Sequence, residues 1–129
     1  MPPTKTGRIL EPILRDDGES RAEWIKRIGF SARGYRAHLT TQLRTAQDIL
    51  KAFQAAPNEV GFKQLQSKAQ ALDDAMARLR DRYQDLMDQA IDEQAYVALE
   101  GELEREHERY HDLGVAIMAA ISSYKKTPF

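Results

Sequence analysis

The stretch "FKQLQSKAQALDDAMARLRDRYQDLMDQA", residues 62–90, decides how this chain folds. Its apolar positions are Phe62, Leu65, Ala69, Leu72, Met76, Leu79, Tyr83, Leu86 and Ala90, and the steps between them alternate three and four without a miss. Residues three and four apart share one face of an α-helix, so the stripe predicts an amphipathic helix. A stripe that repeats every seven residues over four heptads is the pattern of coiled-coil packing. The intervening Lys, Gln, Asp and Arg suit water.

The same spacing returns further along, at Tyr96, Leu99, Leu103, Glu106, Tyr110, Leu113, Ile117, Ala120 and Tyr124, with Glu106 as the one polar member. Continuing the first stripe from 90 would put the next seam residues at 93 and 97, yet the second stripe starts at 96. The two are one residue out of phase, so a single straight helix would aim them in different directions. A chain reversal near "QAIDEQAY", residues 89–96, removes the conflict, with Asp92 as candidate N-cap. No Gly or Pro marks that reversal, and one continuous bent helix stands as the alternative.

Toward the N-terminus, Ser20 followed by Glu23 has capping-box spacing and opens a helix. Its apolar face runs through Trp24, Ile28, Ala32, Tyr35, Leu39, Gln42 or Leu43, Ala46, Ile49 or Leu50, and Phe53. Gly29 and Gly34 each weaken it by about 1 kcal/mol against alanine and make a kink or early break near 29–34 an open outcome. Pro57, in "AAPNEVG", ends it. Residues 1–19 carry Pro2, Pro3, Gly7, Pro12 and Gly18 and read as a flexible N-terminal arm, whose Ile9, Leu10, Ile13 and Leu14 are able to dock.

The expected architecture is therefore all-α: one domain over 20–126, with helices at about 20–55, 59–91 and 93–125. Each helix is near 45 Å long at about 1.5 Å per residue. Two arrangements bury the stripes: an elongated antiparallel three-helix bundle, or a long helical hairpin with coiled-coil packing that completes its core in a dimer. Burial of each large apolar side chain stabilises by roughly 1.5–3 kcal/mol, which outweighs the glycine defects. Charge agrees with a bundle. Residues 20–54 hold seven Lys or Arg against two acids, and residues 92–112 hold eight acids against two Arg. A basic first helix and an acidic third helix attract, and this selects the pairing more than it stabilises it.

Composition narrows the function classes. The chain has 129 residues, 42% apolar and 30% charged, with a net charge of −1. It lacks the strong charge excess of a generic nucleic-acid or membrane binder. There is no cysteine, which excludes disulfides and thiolate metal sites. No apolar run approaches the ~18 residues of a membrane span, and the N-terminus lacks the apolar core of a secretion signal. A cytoplasmic protein is the default, with the nucleus left open.

One motif invites an enzymatic reading. His107-Glu108-Arg109-Tyr110-His111 has the spelling of a zinc-protease helix. Catalytic zinc needs three protein ligands and an open water position. In "HERYHDLGVAI" the extended motif continues to Gly114, but its third ligand falls on Ile117. No glutamate follows Glu108 to serve instead. Tyr110 and Ile117 hold seam positions, so His107 lies beside the seam and His111 turns outward. The pair is an adventitious metal binder at most. No catalytic residue, cofactor or small-molecule substrate is expected: the glycines form no phosphate loop, and acid pairs such as Asp73-Asp74 read as solvated charge. The more informative surface is the basic face of the first helix, where Lys26, Arg27, Arg33, Arg36 and Arg44 suit phosphates or, equally, internal pairing with the acidic third helix.

The segment "SARGYRAHLTTQLRTAQDIL", residues 31–50, is a basic, glycine-containing helix start followed by a long amphipathic run. It resembles the N-terminal Gag-like region of Bel/Pao-type LTR-retrotransposon polyproteins, in which such a helix leads into a long charged helical hairpin. "QSKAQALDDAMARLRDRYQDLMDQ" and "ALEGELEREHERYHDLGVAI" would be the two arms, so the likeness covers about residues 20–124. It implies a non-catalytic structural domain acting in self-association and particle assembly, with catalysis elsewhere in the polyprotein. The spectrin-type three-helix repeat is a second, lower-ranked comparison, compatible with Trp24 and the helix lengths. The sequence thus leads to an assembly domain that forms homo-oligomers or binds other proteins, with an RNA-binding or adaptor module as the alternative.

Overall fold

The computed structural model describes residues 8–126. Three helices account for most of them: α1 (Arg21–Ala55), α2 (Glu59–Asp88) and α3 (Glu93–Lys126). Their ends are written in local chemistry. The Ser20 hydroxyl accepts from the Glu23 N–H while the Glu23 carboxylate accepts from the Ser20 N–H, closing the capping box. Asn58 Oδ1 accepts from the Gly61 N–H at 2.7 Å and starts α2. Gly61 is required there by closeness: a Cβ would lie 2.9 Å from Phe53 Cδ1. Gly18, at φ 79°, makes the turn that precedes α1, a backbone conformation that L side chains rarely adopt.

α2 and α3 are separate helices. Between them the chain reverses at residues 89–92, and Asp92 Oδ1 accepts from the Ala95 N–H at 2.8 Å, as its N-cap role requires. α2 runs antiparallel to both neighbours: Arg82 reaches Ser31 and Lys68 reaches Gln42 on α1, while Tyr83 reaches Glu102 on α3 and Asp73 accepts from Tyr110 of α3. The bent-helix alternative is excluded by these pairs. α1 passes through Gly29 and Gly34 without a break, because the residues before and after them, Ile28, Ala32 and Leu39, are buried in the bundle.

α2 lies in the middle. Its stripe forms the centre of the core, with Leu65, Leu72, Met76, Leu79 and Tyr83 buried against Leu39, Leu43, Ala46 and Leu50 of α1 and Ile117 and Ile121 of α3. The distal end is closed by rings: Tyr124 meets Phe53 edge-on at 5.4 Å and Phe62 at 5.0 Å between centroids. α3 is held less completely. Its stripe residues Leu99, Leu103, Tyr110 and Leu113 are only partly buried, and α3 touches α1 far less than α2 does. Tyr96, expected as the first seam residue, is exposed, because it stands level with the last residues of α2 at the bundle's end. Among the described residues no helix is long and apolar enough to cross a membrane.

Two expectations need correction. Over residues 8–19 the N-terminal segment is an extended strap fastened to α1 and α2 rather than a free arm; residues 1–7 lie outside the described residues. Asp81 Oδ2 accepts from the backbone N–H of Ile9 at 2.8 Å and of Leu10 at 2.9 Å. Arg8 pairs with Asp85 at 3.0 Å, and Arg82 donates to the Glu11 carbonyl. Further on, Trp24 Nε1–H donates to the Ile13 carbonyl and Arg27 to that of Leu14. The same contacts correct the reading of α2's polar face as solvated. Asp81, Arg82 and Asp85 are all buried, because the strap's backbone has no helix or sheet to satisfy it and takes its partners from these side chains.

Candidate interaction groove between α1 and α3

The histidine pair is a pair of neighbours on one helix face. The His107 and His111 rings stack with centroids 6.2 Å apart and 13° between planes, the spacing an i,i+4 relation produces. His107 is half-buried against the Tyr110 ring, and His111 is exposed. Among the described residues no three His, Cys, Asp or Glu side chains come together in a way that would hold a metal ion.

The five basic residues of α1 divide. Arg27 is turned back on the strap, with Nε 2.6 Å from Glu19 Oε2 and a longer contact to Asp16 at 3.6 Å. Its bond, and the Asp16 N–H, hold the Glu19 carboxyl down at about 2. Arg36 crosses to α3 and pairs with Glu106 at 3.2 Å and Glu102 at 3.7 Å. This is the attraction between basic first and acidic third helix that the charge pattern implies. Arg33 lies over the Phe30 ring at 6.0 Å. Lys26 and Arg44 are exposed and take no partner among the described residues. The sequence-level basic face is therefore two internal clamps and three solvent-facing cations.

The internal ionic groups are structural in geometry. Glu106, buried at a seam position, is held between Arg36 on α1 and Arg109 one turn along α3 at 2.9 Å. Tyr83 donates its hydroxyl to Glu102 at 3.0 Å, and burial together with that bond raises its pKa to about 12. Tyr110 donates to Asp73, and burial, then that carboxylate, raise it to about 12 as well. Every side-chain oxygen and nitrogen buried among the described residues has a partner. These groups tie helices together, and Tyr110 and Asp73 also line a hollow of about 370 Å³ beside Leu72, His111 and Met118, smaller than the cleft between α1 and α3.

The open cleft lies elsewhere. α1 and α3 run parallel and converge only in part, leaving a groove along the side of the bundle away from the strap. Its middle holds about 550 Å³ over a floor of Leu43, Leu50, Leu113 and Ala116. It continues into a second hollow of about 540 Å³ toward Phe53, Ala120 and Tyr124, sharing Gln54 and Ala116 with the first. The α1 wall is Thr40, Arg44, Gln47, Lys51 and Gln54; the α3 wall is Arg109, Asp112, Ala116, Ala119 and Ser123. Both walls step by threes and fours, so both present a helical ridge, and the α3 wall is low because its residues are small. Ridges so spaced are the kind that pack against helices.

The sequence reading missed the groove, and of the strap it offered only that apolar residues of the N-terminal segment were able to dock, not the polar ties to Asp81, Arg82 and Asp85. The strap has no periodicity to detect, though Arg82 and Asp85 at i,i+3 offered a weak sign of a second face. Comparison with protein-family models, curated proteins and solved structures finds no match.

Proposed function

We propose that this chain is a non-catalytic assembly module that works by receiving a further helix in the α1–α3 groove. The carrying observation is the asymmetry of the bundle: the apolar stripe of α2 is buried between its two neighbours, whereas the α1–α3 side is an apolar-floored channel between two helical ridges. The assembly role accords with what the Gag-like resemblance of residues 31–50 implies. A small-molecule or catalytic role has less support, because the buried carboxylates already take backbone amides or arginines as partners, and Tyr83 and Tyr110 already donate to Glu102 and Asp73.

The test is chemical-shift mapping on the labelled chain under two titrations, one raising its own concentration and one adding a neutral amphipathic helical peptide. At least one of them shifts Leu50, Leu113 and Ala116, and the groove-filling Ala119→Arg variant abolishes the response. If neither titration perturbs the groove, the proposal is wrong. RNA binding is the second reading, favoured by the solvent-facing Lys26, Arg33 and Arg44 but weakened by the internal engagement of Arg27 and Arg36. With three phosphate contacts, retention on single-stranded RNA would fall with salt at a log–log slope of about −2.

A further inference from the structure

The groove's rim carries a sign. Arg44 and Lys51 stand one heptad apart on the α1 wall, both exposed and both without a partner among the described residues. Across the channel Arg109 gives one guanidinium nitrogen to Glu106 and leaves half its side chain exposed. Asp112 is the single carboxylate on the rim. Three cations thus flank an apolar floor, spaced as the flanking positions of a helical seam are spaced.

We propose that the groove receives an amphipathic helix of a partner protein whose flanks are acidic. This rests on the reading of the groove as a helix-binding channel and adds the chemistry of the occupant. An apolar row of small or leucine-type residues would cover Leu50, Leu113 and Ala116, and Glu or Asp on either side would meet Arg44, Lys51 and Arg109. Charge argues against a second copy of this chain as the occupant. Groove against groove brings the three cations onto their own copies, and like charges across an interface are a strong selector against a partner. The chain's own exposed acidic face, carried by Glu100, Glu104 and Glu108, sets these acids and His111 between Val97 and the exposed Val115 and Met118, so it offers no continuous apolar row to enter the channel.

The experiment titrates three synthetic helical peptides into the full chain and follows binding by fluorescence anisotropy. The peptides share one apolar heptad seam and differ only in flanks of Glu, Gln or Lys. The Glu-flanked peptide should bind about tenfold tighter than the Gln-flanked one, as a few rim pairs allow, and the Lys-flanked one weakest. The Arg44→Gln, Lys51→Gln double variant, which alters exposed unpartnered side chains, should bind Glu- and Gln-flanked peptides alike while its circular dichroism stays native. Equal affinity of wild type for Glu and Gln flanks overturns the acidic partner and leaves the helix channel standing. Failure of all three peptides overturns the acidic partner, and, where raising the chain's own concentration leaves the groove unperturbed as well, the helix channel with it. A dimer of the chain alone that Ala119→Arg disperses identifies a second copy as the occupant and also overturns the proposal. Displacement of the bound peptide by a single-stranded RNA oligomer would assign the rim to phosphate instead.

Discussion

α2 and α3 are spelled alike and packed differently. α2 carries eight seam positions and α3 nine, all stepping by threes and fours. In α2 most of those positions are buried, and a second face holding Ala75, Asp81, Arg82 and Asp85 is buried too, because α1, α3 and the strap surround it. In α3 only Glu106, Ile117 and Ile121 are fully buried, and Val115 and Met118 face solvent at 56% and 55% exposure. A heptad pattern states which side of a helix seeks cover; it does not state how many neighbours arrive to provide it. That difference makes α2 the structural axis of the molecule and α3 one bank of a channel.

The comparison can be broken most directly by matched leucines. Leu79→Ala, at a site with no exposed surface, should cost about 3–5 kcal/mol, whereas Leu103→Ala at the equivalent kind of position on α3 should cost about 1–2 kcal/mol. Urea unfolding of both variants reads the difference, and equal costs would show that α3 is packed as fully as α2. Next in size is Asp81→Ala. It strands the Ile9 and Leu10 amides beside α2 and should cost about 2–3 kcal/mol, with faster hydrogen exchange at those two amides.

The interhelical phenols give a pH test of the α2–α3 contact. Tyr83 and Tyr110 have folded pKa values raised to about 12 from an ordinary 10.0, so the folded state binds their protons more tightly than the unfolded chain does. Their contribution is complete below pH 10 and is lost as pH rises from there through about 12. Thermal melts should therefore fall across that alkaline window, and a Tyr83→Phe, Tyr110→Phe variant should show a shallower fall. Glu19 has the opposite sign: its pKa is lowered from 4.5 to about 2, so the strap's tie to Arg27 is present above 4.5 and loosens as pH falls toward 2.

Smaller effects sharpen the picture. Glu106→Gln keeps an acceptor for one arginine but removes the charge between two, and should cost about 1 kcal/mol because Arg36 and Arg109 remain able to hydrate. Met118→Ser on the open side of α3 should stay within about 0.5 kcal/mol by the same urea measurement.

How much of this was legible follows from what periodicity encodes. Helix limits to within a few residues and the Ser20 and Asp92 caps were readable because each is a local rule acting within a few residues, whereas the reversal stood in the sequence beside the alternative of one bent helix. The phase slip between the stripes carried the reversal even without Gly or Pro. The strap was unreadable because its bonds join Ile9 and Leu10 to Asp81, some seventy residues away, through backbone groups that have no sequence signature. The basic face was only half readable: Arg27, Arg36 and Arg44 look alike in sequence, and only the positions of Glu19 and Glu106 separate clamp from rim. The groove depends on how closely α1 and α3 approach, which the small residues Ala116, Ala119 and Ser123 hint at but do not determine.

Trp24 is the only tryptophan in the chain, and its indole N–H is bonded to the Ile13 carbonyl at 2.7 Å. Tryptophan emission therefore originates at a single point, where the strap meets the first turn of α1. A red shift of its emission would register the strap lifting away while the helical circular dichroism is still intact, so the molecule carries its own optical gauge of that one event.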